Sequence, residues 1–421
     1  MSDNLHFVPF SDIVIRRYQD HEALPAHNRM DPRLLHGEIH VTLTAVSPVM
    51  ISGGSRKWEN GANVALFSTD ARNRFRIPGS SLRGLIRQNM QILGLGAVCA
   101  GRNEDIPDGF KNYVDGGREP RFGLPRSHQQ GLLDYSRSVM GFVMKFKKET
   151  PGGYSPKYQG KEKIETVCYR SRISVGELHP IGTPRELPTV LLEQSLPRQS
   201  SPSFIEELGG KRFRLKGFRQ YPPIQPPKAS PFAKLGFRPL AAGTRFTGTI
   251  RYRNLAPDEL GLLLWCLRLE EGCVHAMGMG KAAGYGQMAL TIDKLVEFDP
   301  QTLYSSLTST GTPAADTAKR VDELIRVYRN YAAQPGRAGQ DPAELDTIKK
   351  FLSLRKDPNA PAPKPQAAPK PIPQAAPKPA PQPGPPSNKE LRRQAKQAAP
   401  QATQEQKDDW RKQFGERFQK N

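Results

Sequence analysis

Three patterns in the chain predict an α+β fold built in the order βαββαβ. A strand-period stretch, "HGEIHVTLTAVSPVMI", is followed by a helix-period stretch, "RIPGSSLRGLIRQNMQILG". The second half repeats that succession as "TRFTGTIRY", "APDELGLLLWCLRLEEG" and "QMALTIDKLVEF". One more strand at "ETVCYRSRISVGEL" completes the order, which is that of a ferredoxin-like core with a sheet like that of an RNA-recognition module. Between the halves, residues from about 100 to 239 are rich in Gly, Pro, Arg and Lys, too long for a connection, and read as large insertions.

Each element has its own physical reason. Ile39, Val41, Leu43 and Ala45 alternate with His40, Thr42 and Thr44, the period of a half-buried strand that ends near Pro48. Ser80 or Ser81 caps the first helix, Leu82, Leu85, Ile86 and Leu93 share one face, and Gly94 ends it. Phe246, Gly248, Ile250 and Tyr252 alternate on the next strand. Pro257 with two following acids opens a Leu-rich second helix, and Met288, Leu290 and Ile292 alternate on the last strand. This core spans residues 1–300. A helical hairpin over 313–354 follows, with Val321, Leu324, Ile325 and Tyr328 on one face and "DPAELDTIKKFLSL" opening on a cap and a first-turn proline. Residues 357–387 are a Pro/Ala/Lys-rich tail that cannot bury a core and is expected to be an extended, disordered linker. Residues 388–421 form a basic amphipathic segment with Trp410, Phe414 and Phe418 recurring every four residues.

Charge narrows the partner. The chain has 421 residues and a formal net charge of +21. From Arg355 onward there are 14 basic and 6 acidic residues, leaving 48 against 35 in the body, so both parts are cationic. No long apolar run offers a membrane as the polyanionic partner, and nucleic acid is the expectation. Cys99, Cys168, Cys266 and Cys273 show no CxxC pairing, and "MSDNLHFVPF" has no signal-peptide form, so a reduced cytoplasm is expected and no metal is assigned.

The candidate binding residues fall in three places. In "AMGMGKAAGYGQM", counting back from Gly280-Lys281 meets His275 where a phosphate-loop glycine belongs, and Ala282 replaces the magnesium-binding hydroxyl. A dinucleotide fingerprint follows a strand and opens a helix, whereas this loop follows a helix and opens a strand. Two readings remain: a tight turn, or a bare backbone at Gly278, Gly280, Gly284 and Gly286 against which a polyanion lies, with Lys281 for charge and Tyr285 for stacking. Arg83 and Arg87 share a helix face beside the Ser80 and Ser81 amides, either an anion site or an ordinary basic face. In "GGSRKWENGAN", read as a loop, Arg56, Lys57 and Trp58 mix cation and aromatic as single-stranded RNA requires.

Taken together, "SPVMISGG", "IPGSSLRGLIR", "GMGKAAGYG" and the opening "FVPF" resemble the RAMP superfamily (repeat-associated mysterious proteins) of CRISPR-Cas systems, over about residues 1–300. The resemblance implies a ferredoxin-like core that binds CRISPR guide RNA as a backbone-type subunit of a type III effector complex in antiviral defence. Its implied partners are target RNA, other RAMP subunits and a large polymerase-like subunit. It also implies that the loop after strand one meets the guide–target duplex and can carry an RNA-cutting aspartate. Here Asn63 stands at that place, with Glu59 and Asp70 nearby. The reading taken is therefore a structural RNA-binding subunit without a cofactor, magnesium entering only if RNA is cut. One alternative is a RAMP-type endoribonuclease that processes guide RNA, with His40 or His275 as general acid or base, or cuts target RNA. Another is a general RNA binder driven by charge alone.

Overall fold

The computed structural model describes residues 5–19, 21–59, 61–97, 133–147, 164–192, 205–207, 213–224, 235–305 and 311–357. Its main elements in chain order are strands β1 (Leu35–Ala45), β2 (Ser52–Glu59) and β3 (Ala62–Phe67), then helices α1 (Gly79–Leu93) and α2 (Tyr135–Met140). Strand β4 (Ile173–Val175), strand β5 (Arg245–Leu255), helix α3 (Pro257–Arg268) and strand β6 (Gln287–Glu297) follow, then helices α4 (Thr317–Ala332) and α5 (Asp346–Ser353). The architecture is mixed α/β with mainly antiparallel pairing, and the central sheet runs β6-β1-β5-β4.

The alternation in β1 does what its period requires. Ile39, Val41 and Leu43 are fully buried and meet Ile250 and Phe246 of β5 and Leu290 and Leu295 of β6 in register. In β6 the pattern breaks at a bulge between Ile292 and Lys294, so the next core residue is Leu295 and not Lys294. Asp293, displaced there, accepts a hydrogen bond from Thr42 Oγ1 at 2.7 Å.

Helix α1 buries Leu82, Leu85, Ile86 and Leu93, the stripe its spacing predicts, and Gly94 is its C-cap. Its start differs from expectation. Pro78 occupies the N-cap, and Ser80 and Ser81 lie inside the first turn with no side-chain cap bond, because the fixed proline φ already supplies the entry geometry. Helix α3 is apolar all round, and Leu260 to Leu267 are buried, because α4 covers the side that α1 and the sheet do not. Gly261 permits that approach, since a Cβ there would stand 2.0 Å from the Leu324 carbonyl oxygen. Tyr328 of α4 donates to the Leu93 carbonyl at 2.6 Å, tying the hairpin to α1.

Three further local expectations change. "ETVCYRSRISVGEL" divides into Ile164–Tyr169, which pairs with Phe142–Lys147, and β4, which joins β5. Asp341 caps a 3-10 turn, Pro342–Glu344, and the last helix starts at Asp346. "GGSRKWENGAN" is the β2–β3 hairpin and not a loop, and β3 also pairs with Leu235–Phe237. The Pro-rich linker, the Trp410, Phe414, Phe418 stripe and much of the insertion lie outside the described residues.

Candidate nucleic-acid interface

A cleft of about 740 Å³ opens where the first turn of α1 meets β4 and the second half of β5. Gly79, Ser80 and Arg83 line it from α1, Arg170 and Arg172 from the approach to β4, and Arg251 and Arg253 from β5, with His27 beside them. No carboxylate is among its described lining residues. Several of these guanidiniums are held in place. Arg251 pairs with Glu38 at 2.7 Å, Arg83 donates to the Met140 carbonyl at 2.8 Å, and Arg253 donates to the His27 carbonyl. Arg172 is buried and pairs with the fully buried Glu259, to whose Oε2 it donates at 2.7 Å. Burial, then Arg253 and Arg172, hold His27 below the ordinary histidine range, so its ring is neutral at pH 7.

Ser80 and Arg83 of this cleft are among the residues that sequence reasoning singles out. Arg87 is next along the helix and donates to the Gly141 carbonyl at 2.9 Å, so both arginines bind the C-terminal end of α2. The arginines that sequence reasoning missed carried a signal. Arg170 with Arg172 and Arg251 with Arg253 each recur at the period of a strand, on two stretches that turn out to be neighbours.

The glycine loop is explained from inside the protein. Gly278, Gly280, Gly284 and Gly286 all have positive φ, between 74° and 87°. A Cβ at Gly278 would lie 2.2 Å from the Met50 carbonyl oxygen, and one at Gly286 would lie 1.9 Å from that of Met277. The amides of Met277, Met279, Ala283, Gly284, Tyr285 and Gly286 all donate to protein carbonyls, which removes them as donors to a phosphate. Tyr285 is buried with its ring edge-on to Phe237 at 5.1 Å, so it offers no open stacking face. His275 is a core residue. Its Nε2 lies 2.7 Å from the Leu267 carbonyl, its Nδ1 faces Asn89, and burial pushes its pKa down to about 4. Lys281 donates to the Gly278 carbonyl at 3.0 Å. The loop adjoins the Ala45 end of β1 and the cleft the Gly37 end, roughly 26 Å apart at about 3.3 Å per residue, so helix start and glycine loop do not converge.

The β2–β3 hairpin presents the third group. Arg56, Lys57 and Trp58 are exposed, Trp58 by 72 %, and Trp58 stands opposite the exposed Asn63 in the register. Glu59 is drawn below the carboxylate range by hydrogen bonds from Arg238, the nearer at 2.5 Å. Asp70 is held at about 2 by the backbone N–H of Arg74 and by the Arg74 side chain, and it closes a turn. His40 is half-exposed beside Glu38 on the sheet face away from the helices. Among the described residues no group of three His, Cys, Asp or Glu side chains is placed to hold a metal ion.

No helix among the described residues is long and apolar enough to cross a membrane. A search of curated proteins finds no match to the chain. The family model of the RAMP superfamily matches residues 42–289, a span that holds the end of β1, the hairpin, α1, the cleft arginines and the glycine loop. Members of that family are generally CRISPR-associated, bind CRISPR RNA and contact other Cas subunits. The chain belongs to the RAMP superfamily.

Proposed function

We propose that this protein is a guide-RNA-binding structural subunit of a type III CRISPR effector complex, seating the RNA backbone in the arginine cleft at the start of α1. The observation that carries this reading is the cleft itself: five arginines, two of them paired with Glu38 and Glu259, and a helix N-terminus around one space. Read as fourth, first, third and second strands of a βαββαβ core, the order β6-β1-β5-β4 supports a ferredoxin-like architecture. RNA-recognition modules stack bases on aromatic residues of the open sheet face. Here the corresponding positions of β1 and β5 are Glu38, His40, Thr42, Thr44, Arg245, Thr247, Thr249 and Arg251, with no ring to stack on apart from the His40 imidazole. Contact through phosphates positions an RNA without reading its sequence, which suits a subunit that accepts many guides. The remaining partners in this reading are target RNA, met by the β2–β3 hairpin, neighbouring RAMP subunits and the large polymerase-like subunit.

The test is binding of a guide-length single-stranded RNA across a salt series. The expected log–log slope is several units, at about −0.7 per neutralised phosphate, with little dependence on sequence. Deleting residues 358–421 is expected to leave most of the binding, and Arg170→Glu to weaken it. Loss of binding on truncation, or unchanged affinity in Arg170→Glu, refutes the placement of RNA in the cleft.

A further inference from the structure

The arginine cleft has a second wall that carries no charge. Met30, Phe298 and Leu303 line the same space as the arginines. Tyr304 stands at its rim, 76 % exposed, and its hydroxyl donates to the Met30 sulfur at 3.5 Å, which anchors the ring beside the cleft. All four residues lie outside the matched family span of 42–289. Local bonds fix this wall. The Phe298 amide donates to the His36 carbonyl at 2.8 Å, continuing the pairing of β6 with β1 by one residue. Residues Pro300–Ser305 form a short helix, and the Asp299 carboxylate before it accepts from the Thr302 amide at 2.9 Å and hydroxyl at 2.6 Å. The acid nearest Leu303 in the chain is thereby engaged in its own helix turn. On the cationic side, Arg251 and Arg253 flank Tyr252, which pairs with Gly37 of β1 across one edge. Glu297, just before Phe298, pairs with Gly37 across the other. The apolar and cationic sides therefore start two strand spacings apart, about 10 Å, the scale of a single nucleotide. Single-stranded nucleic acid is held by a cationic groove combined with aromatic rings, and on the open face of β1 and β5 the one ring is the His40 imidazole.

We propose that Tyr304, with Met30, Phe298 and Leu303, receives one unstacked base of the RNA whose phosphates lie among the cleft arginines. This deepens the RNA-binding reading above and rests on it. Charge complementarity commits the wall to that occupant: an apolar surface facing five arginines suits a group that is flat and weakly polar yet carries an anion one sugar away. Every base has a π-face, so stacking here does not select sequence and agrees with a subunit that accepts many guides. The family span supplies the arginines, and the segments that flank it in this chain supply the surface for the base.

The experiment compares the full-length wild type with Tyr304→Leu, Tyr304→Phe and Arg170→Glu. Each is titrated over the salt series with a guide-length single-stranded RNA and with an abasic ribose-phosphate oligomer of the same length. Tyr304→Leu is expected to weaken RNA binding on the order of tenfold at every salt concentration, with the log–log slope unchanged, because a stacked ring releases no counterion. Tyr304→Phe, which keeps the ring, is expected to bind as the wild type does. The abasic oligomer has no base to stack, so the wild type and Tyr304→Leu are expected to bind it equally. The thermal midpoint of Tyr304→Leu is expected to stay level, since the side chain is largely exposed. Unchanged RNA affinity in Tyr304→Leu overturns the base site. So does a loss of equal size in Tyr304→Phe, which makes the hydroxyl the contact, or a loss that persists with the abasic oligomer, which makes the contact one to the backbone. If the wild type binds no RNA, or Arg170→Glu leaves its affinity unchanged, the functional reading itself falls. If Arg170→Glu weakens binding and Tyr304→Leu does not, the cleft stands and only the base site falls.

Discussion

Replacing Gly286 by alanine separates the two explanations of the glycine loop. Gly286 has φ +74°, donates to the Pro48 carbonyl at 2.9 Å and accepts from the Met277 amide at 2.8 Å. An alanine Cβ would stand 1.9 Å from the Met277 carbonyl oxygen, so the backbone has to move. The left-handed conformation costs alanine about 1–2 kcal/mol. Moving the chain weakens the two hydrogen bonds at about 1 kcal/mol each, and crowding adds about 1 kcal/mol more, for a total of about 4–5 kcal/mol. Gly243 is the control, with φ +83° and nothing within 4 Å of its Cβ position, and Gly243→Ala is expected to cost about 1 kcal/mol. Urea unfolding followed by circular dichroism gives both values, and RNA affinity is measured below the unfolding range. If Gly286→Ala unfolds no more easily than Gly243→Ala but loses RNA, the glycine serves the ligand and close backbone approach does not explain it.

Two further outcomes are expected. Glu259→Gln is expected to cost about 3–5 kcal/mol in urea unfolding, since it leaves the Arg172 charge buried without a partner. Burial raises the Glu259 pKa, but Arg172, Arg17 and the Ala256 amide outweigh it and hold the carboxyl below the ordinary glutamate value of 4.5. Its contribution is therefore present above pH 4.5 and lost as pH falls through the lower folded value, so the wild type is expected to lose more stability than Glu259→Gln on acidification below 4.5. For cleavage of a complementary RNA with magnesium by the assembled complex, wild type is expected to be inactive, because Asn63 cannot act as a base and Glu59 is tied to Arg238. Regular cuts that vanish with Glu59→Ala overturn that assignment, and cuts gained with Asn63→Asp show that the missing carboxylate is the cause.

Much of this molecule is readable from residue order because it depends on local periodicity. The alternation from Ile39 to Ala45 and the Leu82, Leu85, Ile86, Leu93 stripe match the buried faces of β1 and α1, and Val321, Leu324, Ile325 and Tyr328 are the buried face of α4. Side-chain period follows from backbone geometry, which each short stretch carries in itself. Excess positive charge is likewise a sum over residues and needs no fold.

Other properties depend on partners far apart in the chain. Glu259 reads as a helix-opening acid on a surface, yet it pairs with Arg172, 87 residues away, because α4 and the insertion bury that end of α3. His275 and Tyr285 have the chemistry of catalysis and stacking, and packing against Leu267, Asn89 and Phe237 takes both out of reach. Lys281 lies toward one end of β1 and Arg83 toward the other, because the loop and the start of α1 attach to opposite ends of that strand. Motif and spacing select which residue types are available for binding RNA. Which of them share one space is decided by sheet order and burial, since a charge or ring acts only on what the folded chain brings within a few ångströms of it.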